Sequence, residues 1–153
     1  MAKVLKTHIL NLLDGRLAHV DIETVLEQVP NSLKNKRIEG IPYTLWQLIE
    51  HIRLAQRDIL DYMIDPKYVP GNFPDDYWPK ANAKVQWEQT VEEYRKDREQ
   101  IRSLIKKVDL LQPLPYGEEG HDYLREILIL ADHTSYHLGQ LVVILRLQGV
   151  WKS

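Results

Sequence analysis

His133 and His137 stand one helical turn apart in the run ADHTSYHLGQ, a spacing that puts two imidazoles on one helix face about 6 Å apart along its axis. Nitrogens so placed can reach a single metal ion about 2.1 Å from each. A third ligand is then needed. His51 qualifies, because Leu48 and Ala55 share its side of a second amphipathic stretch and turn the imidazole toward the interior or its boundary. Taken singly, each of these residues reads as a core histidine satisfied by a carbonyl or carboxylate. Three neutral imidazoles grouped in an apolar interior each need a partner, and one divalent cation serves all three, whereas protonation would bury charge. The remaining histidines, His8, His19 and His121, fall in or near expected helix ends and loops, where surface or capping roles are expected.

The type of site follows from what is missing. HTSYH lacks the glutamate of the HExxH protease motif. The residues three places before the candidate ligands are Leu48, Leu130 and Thr134, so no Glu-x-x-His di-iron signature is present. The chain has no cysteine, which removes thiolate ligands, disulfides and a cysteine nucleophile together. Three histidines with no evident fourth protein ligand resemble a catalytic site with open positions rather than a closed structural one. Gln47, one turn before His51, and Gln140, close to one turn after His137, are placed either to bond a metal-bound group or to sit at a helix end or packing edge. Tyr43 and Trp46 are candidates to wall a pocket mouth, with packing as the plainer role. Arg98 interrupts an apolar stripe and is expected to snorkel to solvent, an anionic ligand being the alternative. Gly139 is expected to permit close helix approach.

The eight prolines, at 30, 42, 66, 70, 74, 79, 113 and 115, divide the chain into four proline-free stretches, 1–29, 43–65, 80–112 and 119–150. In the second, Thr44 followed by Gln47 forms a capping box ahead of the stripe Leu45, Leu48, Ile52, Ala55, Ile59 and Tyr62. The third alternates four- and three-residue steps from Trp87 to Val108, with Asp97 among its wet-face residues. The fourth ends at Gly149, a residue suited to a helix C-terminus. The first is interrupted at Gly15, and Asp21 is placed to cap a second short helix reaching Val29. The pattern predicts an all-α fold, an antiparallel four-helix bundle with a broken first helix and a long connection, 66–79, between helices two and three. Tyr68, Phe73, Tyr77 and Trp78 make that connection too aromatic for a plain linker, and it is expected to pack on the bundle and roof a pocket.

With 153 residues the chain is expected to be a single domain over 1–153. Twenty basic against twenty-two acidic residues, and no basic run, argue against nucleic acid as a partner. No signal segment is evident and no apolar run approaches spanning length, so a soluble, cytoplasmic protein with no membrane partner is expected.

The segments WQLIEHIRLAQRDIL at 46–60, YWP at 77–79 and ADHTSYHLGQLVVILRLQGVW at 131–151, with AHVDIETVLEQVP at 18–30, resemble the DinB-like superfamily of metal-binding four-helix bundles. The resemblance spans nearly the whole chain, and HxxxHxGQ with one histidine in the second helix is its most specific part. It implies one divalent ion, zinc or nickel, on His51, His133 and His137, and a homodimer. It also implies a metal-dependent enzyme of thiol S-transferase type, acting on a small molecule with a low-molecular-weight thiol. A metal-dependent hydrolase and a non-enzymatic metal-binding or structural dimer are the alternatives.

Overall fold

The computed structural model describes residues 2–15, 17–80 and 83–152. Among them are five α-helices and no strand: α1 (Ala2–Leu13), α2 (Ile22–Glu27), α3 (Leu45–Ile64), α4 (Trp87–Lys107) and α5 (Tyr123–Leu147), with a short 3-10 turn at Asp75–Tyr77. The fold is all-α.

Local chemistry sets most of the ends. Asp21 accepts from the Thr24 amide and starts α2. Thr44 and Gln47 exchange side-chain-to-backbone bonds at the start of α3, satisfying two amides that the helix itself leaves without partners. Asp122 accepts from the Arg125 amide at the start of α5. That helix stops where Gly149 adopts a φ of 70°, a left-handed conformation in which a side chain would be strained.

α3 packs against both α4 and α5, and α1 bridges α4 and α5. One apolar cluster gathers Leu45, Leu48, Ile49 and Ile52 of α3 with Leu141, Ile144 and Leu145 of α5. A second joins Leu60 and Met63 of α3 to Ile101, Ile105, Ile127 and Leu130. On α5, His133 and His137 lie between the two clusters in sequence, and on α3 His51 falls within the stretch of the first, between Ile49 and Ile52, so core packing holds the backbone of all three. Contrary to expectation, α5 is by length and composition apolar enough to cross a membrane. Its apolar content has a local cause, since Ile127, Leu130, Leu141 and Leu145 are fully buried within the chain's own core.

Three expectations fail for tertiary reasons. Arg98 does not reach solvent: it is 5% exposed, donating to the Leu13 carbonyl at the end of α1 and to Thr134 Oγ1, with its guanidinium 5.0 Å from the Tyr94 ring centroid. Asp97, placed on the wet face of α4, is buried and bonded to Arg57. Gly139 is exposed, and a Cβ there would meet nothing within 4 Å, so it does not mark a close helix approach.

Candidate metal centre

His51 comes from the second turn of α3, and His133 and His137 from the middle of α5. Their ligand atoms lie within 4.8 Å of one another. The Nε2 of His51 is 3.1 Å from that of His137 and 3.0 Å from that of His133. His51 and His137 are buried and His133 is half-buried.

Hydrogen bonding decides where the protons are. His51 Nδ1 is 2.6 Å from the Tyr77 carbonyl oxygen. A carbonyl only accepts, so Nδ1 carries the hydrogen and a neutral His51 presents a lone pair at Nε2. His137 Nδ1 lies 2.8 Å from Gln140 Oε1, which fixes the same tautomer. Two lone pairs then face each other at 3.1 Å. A hydrogen on His133 Nε2 would ease one contact while leaving its buried Nδ1, which has no protein partner, as an unsatisfied acceptor. Protonation is opposed by the surroundings. Burial pushes His133 down to about 4, with His137 and His51 adding to it. Burial lowers His51 too, against the Tyr77 carbonyl, and lowers His137 against Gln140.

A divalent cation fits this donor set. Two nitrogens each about 2.1 Å from one ion and at about 90° to each other stand about 3.0 Å apart, the separation found here. Among the described residues the group contains these three ligands and no carboxylate.

The 66–79 connection supplies what surrounds the triad. Besides the Tyr77 carbonyl, it lays the Trp78 ring flat on the His51 imidazole, with centroids 4.0 Å apart and planes within 3°. Tyr43 stacks on the far part of this arrangement, 5.3 Å from Trp78, and Tyr136 lies edge-on to His137 at 4.8 Å. Phe73, in contrast, is 83% exposed and does not pack on the helices.

The other named candidates separate. Gln140 bonds a triad histidine. Gln47 is committed to the α3 capping box. Trp46 is turned into the core, 4% exposed, donating from Nε1 to Thr90 Oγ1, so it does not wall a pocket mouth. His8 is exposed. His19, also exposed, bonds Ser135 Oγ and the Val20 carbonyl. His121 is more embedded than a surface residue, 2.8 Å from the Tyr62 hydroxyl. The Tyr77 carbonyl and Trp78 ring have no local signal at the triad, because they come from a segment remote in sequence; YWP carried the only hint.

Residues 16–141 match the DinB superfamily, and the chain belongs to that superfamily. No curated protein and no solved structure matches it.

Proposed function

We propose that the protein binds one divalent metal ion through the Nε2 atoms of His51, His133 and His137 and acts as a metal-dependent enzyme. The observation that carries this reading is the convergence of three Nε2 atoms, with the Nδ1 atoms of His51 and His137 placed against a carbonyl and an amide oxygen, in a site that resists protonation. An ion held there supplies Lewis acidity and lowers the pKa of a bound water or thiol. The chain's own contribution is orientation: the Tyr77 carbonyl and Gln140 hold two imidazoles in the ligating tautomer. Trp78 shields one side of His51 from water.

Transfer involving a low-molecular-weight thiol is the reaction we favour, with zinc or nickel as the ion. Family membership and a neutral three-histidine set with no carboxylate ligand support this choice. The test is conjugation of small thiols to a panel of electrophiles by metal-loaded and metal-free protein. Metal-dependent conjugation, lost in His133→Ala, is expected; its absence across the panel alongside metal-dependent hydrolysis would replace transfer with hydrolysis. We read the fold as the antiparallel four-helix DinB bundle, a single domain with α1 and α2 as the halves of its first helix. Exposed Ile129, Tyr136, Val143 and Leu147 on α5 support a homodimer.

A further inference from the structure

A second concave site lies on the α3–α5 seam. Asp58 stands seven residues beyond His51 on α3, and Glu126 seven before His133 on α5. Seven residues are two turns, about 10.5 Å, and return to the same helix face. Between them, under the start of the 66–79 connection, is a cavity of about 460 Å³, within the range of about 300–1,000 Å³ usual for small-molecule sites.

Its walls are aromatic. The Tyr62 and Tyr68 rings meet at 61° with centroids 5.2 Å apart, forming a corner, and the Tyr116 ring is 59% exposed at the rim. The corner is held from behind. Tyr68 donates to Asp58 Oδ1 at 2.9 Å. The Tyr62 hydroxyl accepts from the Glu118 amide at 2.9 Å, which leaves its own hydrogen for His121 Nδ1. The turn carrying Glu118 comes this close because residue 117 is glycine: a Cβ there would lie 2.8 Å from Leu114 Cβ and 3.2 Å from the Tyr62 hydroxyl oxygen.

The lining is predominantly acidic. Asp58, Glu118 and Glu126 line the cavity, with His121 4.0 Å from Glu118 and 3.9 Å from Glu126, and neither lysine nor arginine does. Glu126, 4% exposed, is paired with Arg125 from outside the lining, and the Asp58 carboxylate, which interacts with both Tyr68 and Tyr77, has further acceptor capacity. Electron-rich ring faces beside Asp58 and Glu118, for which no ion pair with lysine or arginine is seen among the described residues, attract a cation and repel an anion.

We propose that this cavity binds a small organic cation, an ammonium group carried on an apolar or aromatic body, and anchors that end of the substrate two turns from the triad. The binding half stands on the cavity alone; the anchoring half rests on the metal reading above.

Three probes of similar shape and different charge test it: phenethylamine, phenethyl alcohol and phenylacetate, each titrated into metal-free and metal-loaded protein while the tyrosine ring resonances are followed by NMR. The amine is expected to move Tyr62, Tyr68 and Tyr116, the alcohol to bind at least about tenfold more weakly, and phenylacetate not to bind. Asp58→Asn keeps an oxygen for the Tyr68 hydroxyl and should weaken the amine while leaving the alcohol unchanged. Tyr68→Leu should weaken the amine through loss of a ring wall. Equal affinity for amine and alcohol, preference for phenylacetate, no response of Tyr62 and Tyr68 to the amine, or full amine affinity in both variants would overturn the proposal. Amine binding by protein that takes up no metal would preserve the cation site and remove only its role as a substrate anchor.

Discussion

At the scale of single residues, the triad is defined by what its Nδ1 atoms touch. Gln140 holds the His137 ring through one hydrogen bond and contributes no ligand atom to the group of three histidines. Gln140→Ala is therefore expected to lower metal affinity about 10- to 100-fold while stoichiometry at saturation stays at one, a split that competition titration against a chelator resolves. Protonation supplies a second prediction. Histidines of the unfolded chain take up protons near pH 6.5, whereas folded His133 resists to about 4. The unfolded state thus binds more protons in this window, and stability of the metal-free protein falls as pH drops from about 6.5 toward 4. Denaturant titrations across that range should show a shallower fall for His133→Leu; identical slopes would contradict a neutral buried triad. The three histidines were legible in the sequence because helical periodicity puts each on an apolar face. Gln140, three residues from His137, was legible for the same reason, whereas the Tyr77 carbonyl and the Trp78 ring were not, since Tyr77 lies 26 residues beyond His51 in sequence.

Elements hold these residues through their ends and their seams. The Thr44–Gln47 box fixes where α3 begins, two turns before His51. Thr44→Ala is expected to cost about 1 kcal/mol of stability, read from a denaturant midpoint, and neither it nor Gln47→Ala should change metal affinity by itself. A large affinity loss in Gln47→Ala would return that residue to the metal site. Arg98 joins α4 to the end of α1 and to Thr134 of α5, beside His133. Arg98→Ala is expected to destabilise by about 2–3 kcal/mol through a cavity and two lost hydrogen bonds; a change under about 0.5 kcal/mol would show the contacts to be dispensable. Caps at Asp21, Thr44 and Gly149 were readable because each depends on a few neighbouring residues. Arg98, Asp97 and Gly139 were misread because their surroundings are set by other helices: a carbonyl at the end of α1, Arg57 on α3, and open space where a packed neighbour was expected.

For the whole molecule, the two apolar clusters and the 66–79 connection converge on the α3–α5 seam, which carries both the triad and the acidic aromatic cavity. The two apolar clusters include none of the three histidines, so metal removal should leave α3 and α5 formed and act on the histidines and the 66–79 connection resting on them. An ion binding the folded state adds stability by mass action, about 2.7 kcal/mol at a hundredfold excess over Kd. A thermal melt with and without added zinc should show that rise, and its loss in His137→Ala. The central claim is that three histidines hold one ion, and elemental analysis of protein equilibrated with divalent zinc and freed of unbound metal by gel filtration measures it most directly. One ion per chain in the wild type, falling to near zero in His51→Ala, His133→Ala and His137→Ala while each variant keeps its helical content, is the expected result. A wild-type chain that holds no ion, or folded variants that each retain a full equivalent, would contradict it.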